Sequence, residues 1–191
     1  MVKNCVQQKG VREVEEVRIH IASVLEIILE KEGSAFFRKN IDDIIVILRI
    51  AMTDSCPAVI QTLLRGIRCM VEHFMDGIHM VVEQLLAILK PLLKNRQHAT
   101  RYDTICIVRT LMTIDSDRNG IMMETMHDSV VPLLSDSYPD VRKEVLLLFK
   151  HCLSSNYYQD CRLSILAVLS EYSDEGENQS LVEALRSTPL S

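Results

Sequence analysis

A short polar turn recurs in this chain every 41 residues, with apolar segments of helical spacing on both sides of each copy. Each copy has Asp or Asn, then Pro or His, then Val or Thr; the positions are Asp54, Pro57 and Val59, then Asn95, His98 and Thr100, then Asp136, Pro139 and Val141. Proline suits the first turn of a helix, because its φ is already helical and the N–H that it lacks would have no partner there. Each copy therefore predicts the end of one helix and the start of the next.

Helix pairs that repeat at a fixed period in the low forties are typical of HEAT and armadillo arrays. The segment from Asp136 to Arg142 resembles the HEAT type, which has the pattern Asp-x-x-Pro-x-Val-Arg between two helices. We predict an all-α fold, a HEAT-type α-solenoid of about four to five helix-pair repeats. Residues 1–191 are expected to form this single solenoid, with 1–10 and 187–191 frayed.

The spacing of apolar residues predicts a first helix from Val11 to Glu32, which Gly33 ends as a C-cap. A second helix is expected from Ala35 to Met52, with Ser34 as its N-terminal cap. One apolar stripe of the first helix is predicted to be buried; it consists of Val14, Val17, Ile21, Val24, Leu25, Ile28 and Leu29.

Neither end of the sequence offers the polar cap that the terminal repeat of an array needs. The first of the two helices of the first repeat, its outer helix, is barely represented in the sequence. The tail is expected to hold a helix at 158–172 and a short last helix at 181–186. We therefore expect the chain to be part of a longer array. Its apolar end surfaces would be exposed and would favour self-association.

Charge and composition restrict the kinds of partner and the compartment. The net charge of -5 at pH 7 argues against general nucleic-acid binding, which usually needs a basic surface. The N-terminus lacks the apolar run of a signal peptide, and no segment reaches the roughly 20 apolar residues of a membrane span. The six cysteines contain no Cys-x-x-Cys pair, so buried, reduced thiols are expected rather than a zinc site. We expect a cytoplasmic chain that binds neither nucleic acid nor membrane.

The sequence lacks the residue groups on which catalysis depends. It contains no HExxH pairing, no Gly-x-Ser-x-Gly elbow and no phosphate-binding glycine loop. The segment from Asp115 to Gly120 has oxygen ligands in calcium-loop spacing, but Met126 stands where a bidentate Glu is needed. A helix-connecting turn is therefore favoured there. We predict no enzyme activity, no catalytic residue, no metal and no cofactor.

A column of basic residues is predicted on the inner helices, which are the second helices of the repeats and line the concave surface of HEAT arrays. Arg68, Arg109 and Lys150 are spaced by 41 residues and would stack on adjacent repeats. Like charges in a row repel one another, so an acidic protein partner would stabilise them. The alternative is a solvated face or local pairing, as Arg68 could make with Glu72 at i, i+4. The candidate partner-binding residues are Arg65, Arg68, Arg109, Lys143, Lys150 and His151.

Arg101 and Arg142 have a different interpretation, because each follows the Val or Thr of a polar turn. At this position they are predicted to bond the acidic residue of a neighbouring turn. Together with Asp54, Asn95 and Asp136 they would form a structural ladder rather than a binding surface.

Three segments resemble the dynein axonemal assembly factor 5 family of HEAT-repeat proteins. They are Asp54 to Val59, then Glu72 to Phe74 with Lys90 to Leu92 and Gln97-His98 following in order, and Leu133 to Lys143. The first is similar to that family's Asp-Pro-(Cys/Phe)-Pro-Glu-Val turn, and the last to its Asp-Asp-x-Pro-x-Val-Arg-Arg turn. The resemblance covers roughly residues 50–150, and it departs from the family pattern at Ile60, where Lys or Arg is usual.

This resemblance implies a non-catalytic scaffold for the cytoplasmic preassembly of axonemal dynein arms, in cilium and flagellum biogenesis. The implied partners are dynein chains and chaperone cofactors. The repeat pattern by itself is equally compatible with a general HEAT adaptor, such as a phosphatase scaffold or a fragment of a nuclear-transport receptor.

Overall fold

Seven α-helices follow one another through the residues that the computed structural model describes, which are 2–75, 77–114, 119–154 and 167. They are α1 (Val2–Lys31), α2 (Ser34–Ala51), α3 (Pro57–His73), α4 (Val82–Leu89), α5 (His98–Ile114), α6 (Asn119–Val130) and α7 (Pro139–Ser154). Short 3₁₀ turns lie at Ile78–Met80, Lys90–Lys94 and Val131–Ser135. The predicted all-α class is confirmed.

The polar turns before α3, α5 and α7 have the same hydrogen bonds. The side-chain oxygens of Asp54, Asn95 and Asp136 each accept a bond from the backbone N–H two residues ahead, at 2.7, 2.9 and 3.0 Å. The N–H groups of the same three residues donate to the carbonyl oxygens of Ala51, Leu92 and Leu133 at 3.1, 3.0 and 3.1 Å. Each turn is therefore an Asx turn that ends one helix and positions the next. The 41-residue register predicted from the sequence is confirmed in these contacts.

The chain divides into two compact units, Met1–Ile88 and Leu89–Ser191. In the first unit α1 packs on α3, and in the second α5 packs on α7. Both packed pairs run parallel, because the contacts advance along both helices together. In the first unit they pass from Arg18 with Asp54 to Glu26 with Arg65, and in the second from Arg101 with Asp136 to Arg109 with Glu144. Parallel neighbours need a returning helix between them. In the first unit this is α2, whose start at Ser34 lies against the end of α3.

The boundaries of the first two helices differ from the prediction. Helix α1 begins at Val2 instead of near Val11. Gly33 has an extended backbone, with φ −94° and ψ 176°, and is the N-cap of α2 instead of a left-handed C-cap. The Ser34 hydroxyl donates to the carbonyl oxygen of His73 at 3.3 Å, so it links α2 to α3 instead of capping α2.

The predicted burial of the apolar stripe on α1 is wrong for its largest part. Val14, Val17, Ile21 and Val24 are 57–59% exposed, whereas Ala22 and Leu29 are buried. Helix α1 turns a different side towards α3, the side that carries Glu15, Ala22, Glu26 and Leu29. The reason is that α1 is apolar on more than one side, and periodicity alone does not say which side has a neighbour.

Several predicted features lie outside the described residues. These are the helices at 158–172 and 181–186, the frayed end at 187–191, and the turn at 115–118.

Gly77 is a point where the first unit tolerates no side chain. A Cβ there would overlap the ring of Phe74, which is wholly buried and lies 5.5 Å from the ring of Phe37. We predict that Gly77→Ala lowers the free energy of unfolding by about 1–3 kcal/mol, because the ring must leave its packed position. Urea denaturation followed by circular dichroism measures this change.

Gly33→Ala is the matched control, because a Cβ at Gly33 would meet no atom within 4 Å. Its expected effect is within about 1 kcal/mol. Equal denaturation midpoints for the two variants would contradict the role of Gly77.

Candidate functional site

Arg101 joins two consecutive polar turns of the second unit. Its Nε and Nη2 donate to both carboxylate oxygens of Asp136 at 2.6 and 2.8 Å. Its Nη1 donates to the carbonyl oxygens of Asn95 and Arg96 at 2.8 and 3.1 Å. Only 11% of the Arg101 side chain and 4% of the Asp136 side chain are exposed. A buried, bidentate pair of this kind fixes geometry, so the structural role predicted for Arg101 is confirmed.

Arg142 and Arg18 reproduce parts of this arrangement. The Nη1 of Arg142 donates to the carbonyl oxygen of Asp136 at 2.7 Å, as that of Arg101 does to Asn95. Arg142 thus bonds the backbone of its own turn; the turn that would follow it along the chain lies outside the described residues. In the first unit, the Nε of Arg18 lies 3.4 Å from the Oδ2 of Asp54. This pair links α1 to the polar turn that precedes α3.

The surroundings of Asp136 favour its charged form. Burial raises the pKa of this carboxyl, but it is outweighed by the hydrogen bonds from Arg101 and from the backbone N–H of Tyr138, and by the positive charges of Arg101 and Arg142. The pKa of Asp136 is therefore held below its usual value of 3.8.

His98, which replaces the proline of its turn, begins α5 as predicted. Its ring stacks on that of Tyr138, with centroids 3.7 Å apart and an angle of 13° between the planes. The guanidinium carbon of Arg101 lies 5.9 Å from the centre of the same Tyr138 ring. This stack is therefore a second contact between the turns that Arg101 joins.

The three predicted partner-binding arginines all lie beside carboxylates of their own unit. Arg65 bonds both carboxylate oxygens of Glu26 at 2.7 and 3.2 Å, and Arg109 bonds Glu144 at 2.9 Å; Arg68 meets Glu72 at 3.3 Å. The local pairing that the sequence offered for Arg68 is present. Much of the positive charge of these arginines is thus compensated within the chain.

Sequence reasoning missed the pair between Arg109 and Glu144. These two residues are separated by 35 positions, the same separation as Arg101 and Asp136. That repeated offset was the signal in the sequence that could have revealed it. Glu144 is buried, so the pair serves the packing of α5 on α7 as well as the surface.

The basic residues of α7 have a different environment. Lys143 and Lys150 are exposed and lie seven residues apart, which places them on one face two helical turns apart. Leu147, 38% exposed, lies between them. Within the described part of the chain, neither lysine side chain makes a hydrogen bond or ion pair. His151, the last of the predicted residues, is half-buried on the same helix.

Metal and membrane features are absent from the described part of the chain. No group of three or more His, Cys, Asp or Glu could hold a metal ion there, and no helix is long and apolar enough to cross a membrane. The predicted buried thiols are confirmed for Cys56, Cys106 and Cys152. The side chain of Cys5 and all of Cys161 lie outside the described residues.

The family model described as "Dynein axonemal assembly factor 5-like, TPR repeats" matches residues 1–173. The chain belongs to this family. The match is longer than the segment of roughly 50–150 on which the sequence resemblance rested, and it includes α1 and α2. This member of the dynein axonemal assembly factor 5-like family is a helical-repeat scaffold.

The repeat of this dynein axonemal assembly factor 5-like chain is of the HEAT type. The family description names TPR repeats, whose period is about 34 residues. Here the Asx turns at Asp54, Asn95 and Asp136 recur at 41 residues with the same hydrogen bonds. That period lies in the range of HEAT and armadillo repeats.

Two designed proteins are among the solved structures that this chain resembles. Designed armadillo repeat protein YIII(Dq)4CqI has 14% identity and a TM-score of 0.45, over 87% of this chain and 91% of its own. Designed armadillo repeat protein YIII(Dq.V1)4CPAF, in complex with peptide (KR)4, has 14% identity and a TM-score of 0.46, over 86% and 90%. Among curated proteins, none matches this chain.

The ion pair of Asp136 makes stability depend on pH. The pKa of the Asp136 carboxyl is lower in the folded chain than in the unfolded chain. The ion pair therefore contributes its full stability above the unfolded pKa of about 4, and this stability is lost as the pH falls through the folded pKa. We predict that Asp136→Asn lowers the free energy of unfolding by about 1–3 kcal/mol at pH 7. Asn keeps the turn, as Asn95 does, but removes the charge and one of the two oxygens that accept hydrogen bonds from Arg101. Urea denaturation from pH 3 to 7 measures the difference.

The difference between Asp136→Asn and the unmodified chain should shrink below about pH 4. Asp43→Asn, at an exposed position of α2, is the control and should leave the denaturation midpoint nearly unchanged. A difference at Asp136 that stays constant over this pH range would contradict the role of the ion pair.

Proposed function

We propose that this chain is a non-catalytic, protein-binding scaffold that acts in the cytoplasm during preassembly of axonemal dynein arms. The observation that carries the proposal is the family match over residues 1–173. Its partners are dynein chains and chaperone cofactors, and it uses no metal, cofactor, nucleic acid or membrane. Stacked helices suit this work, because they present long exposed helix faces without any moving part.

The inner helices supply the partner-binding residues, in each unit by itself. In the first unit these are Arg65 and Arg68 on α3; in the second unit Arg109 on α5, with Lys143, Lys150 and His151 on α7, forms the proposed surface. Inner helices suit a partner site, because their exposed sides carry charged residues while their other sides form the core.

Helix α7 makes the largest contribution to this surface. The arginines of α3 and α5 already share their charge with Glu26, Glu72 and Glu144, whereas Lys143 and Lys150 point into solvent. Two lysines around an exposed leucine suit an acidic segment that also carries an apolar side chain. Charge complementarity of this kind raises the association rate and selects acidic partners.

We expect Lys143→Glu combined with Lys150→Glu to weaken binding of an acidic partner at least about tenfold, which corresponds to about 1.4 kcal/mol. The reason is that two attractive charges become repulsive ones at exposed positions where the fold does not need them. Titration calorimetry with a purified partner, at two salt concentrations, measures the loss.

The matched control is Lys39→Glu combined with Lys94→Glu. It changes the net charge by the same amount at exposed positions outside the inner helices, one on α2 and one on the 3₁₀ turn Lys90–Lys94. Arg109 is unsuitable for such a test, because Arg109→Glu would place a second carboxylate beside buried Glu144 and disturb the fold. Equal weakening by the α7 variant and by the control would remove α7 from the binding surface.

The dynein role itself is tested by affinity purification of the tagged chain from ciliated cells. Dynein heavy or intermediate chains should co-purify, and the Lys143→Glu, Lys150→Glu variant should retain less of them. Recovery of a phosphatase or of nuclear-import cargo in their place would overturn the dynein role, even if the α7 surface proved to be a binding site.

A further inference from the structure

Three exposed side chains of α7 form one stripe along its surface, the α7 stripe. Lys143, Leu147 and Lys150 follow the spacing of four and three residues that places side chains on one face of a helix. The two lysines are two helical turns apart, roughly 10 Å along the axis, and Leu147 lies between them. Neither lysine side chain pairs with a carboxylate of the described residues. The α7 stripe therefore carries two uncompensated positive charges at a fixed separation, with an apolar side chain between them.

The packing of α5 on α7 shows how parallel helices of this chain meet through charges at a similar separation. Arg101 and Arg109 are eight residues apart on α5. Their partners Asp136 and Glu144, which bond them at 2.6 and 2.9 Å, are also eight residues apart along the chain. Because the two separations match, both ion pairs form at once.

We propose that the α7 stripe binds an acidic amphipathic helix of the partner, which carries two carboxylates seven residues apart. This helix runs parallel to α7, as α5 does. The first carboxylate then faces Lys143 and the second faces Lys150, while a leucine four residues after the first meets Leu147. The inference rests on the proposed function, since it specifies the form of the acidic partner that the α7 surface would take.

A helix matches the α7 stripe better than an extended acidic segment does. Side chains on one side of a β-strand are about 7 Å apart, and the next one is about 13 Å away, so no pair matches roughly 10 Å. A polyproline helix repeats every 9 Å or so, but it has no side chain between the repeats on the same side. Only the α-helix places two carboxylates at this separation with a leucine between them to meet Leu147.

Asp140 limits how acidic the partner helix is. It is exposed and lies three residues before Lys143, towards the same side of α7. A carboxylate that faced Asp140 would be repelled. The α7 stripe therefore selects a helix with two placed carboxylates over a uniformly acidic one.

The test uses the full chain and two labelled, alanine-rich peptides of about 20 residues, which are long enough to be helical by themselves. The matched peptide has two glutamates seven residues apart and a leucine four residues after the first. In the shifted peptide the second glutamate stands two residues later, which moves it to the opposite side of the helix at the same net charge. Fluorescence anisotropy should show that the matched peptide binds at least about fivefold more tightly, because only this peptide engages both lysines.

A double-mutant cycle with the matched peptide then tests each contact. Lys150→Gln should weaken binding about twofold to fivefold, and so should replacement of the peptide's second glutamate by glutamine. Together the two changes should weaken binding no more than either alone, because they remove the same ion pair. Lys143→Gln combined with the same peptide change is the matched control. Its two losses should multiply, because Lys143 faces the other glutamate.

Equal affinity of the two peptides, or no saturable binding of either, would overturn the proposal. So would a cycle in which the losses at Lys150 and at the second glutamate multiply, because that lysine and that glutamate would then not be in contact. If dynein chains still co-purify in a manner that depends on Lys143 and Lys150, such results would leave the proposed function intact and show that the partner segment is not this helix.

Discussion

The bidentate pair of Arg101 and Asp136 is the interaction on which the second unit depends. The Arg101 side chain bonds the carbonyl oxygens of Asn95 and Arg96 in one polar turn and the carboxylate of Asp136 in the next. It thereby fixes both the start of α5 and the distance from α5 to α7. Because the pair is buried, water competes little with it, and removal of either partner would leave a buried charge without compensation.

A consequence of this fixed offset is that other charged residues meet at the same separation. Arg109 reaches Glu144 at the same separation of 35 residues, about two turns further along α5 and α7, whereas in the first unit Arg65 and Glu26 meet at a separation of 39. Of the basic column predicted from the sequence, Arg109 therefore pairs between neighbouring helices, and Arg68 meets Glu72 within α3. Of the basic residues predicted on the inner helices, Lys143 and Lys150 of α7 are exposed.

Much of the fold was predictable, because it rests on local rules that act at every repeat. Asp or Asn before an N-terminal proline or histidine ends one helix and starts another wherever it occurs. The register of Asp54, Asn95 and Asp136 therefore holds in all three described turns. The residues of the candidate surface were less predictable. Whether Arg65 or Arg109 is compensated depends on which carboxylate lies within reach, and their partners Glu26 and Glu144 lie 39 and 35 residues away in the sequence.

The sequence by itself determined the helical class, the 41-residue register and the structural role of Arg101, because each depends on spacing along one chain. Tertiary structure decided which side of α1 is buried, because α1 is apolar on more than one side and only contact with α3 selects between them. It also decided that Arg109 pairs with Glu144, since that contact exists only when α5 and α7 lie parallel. The polar turns thus set where helices begin and end, and packing set which of their faces remain available to partners.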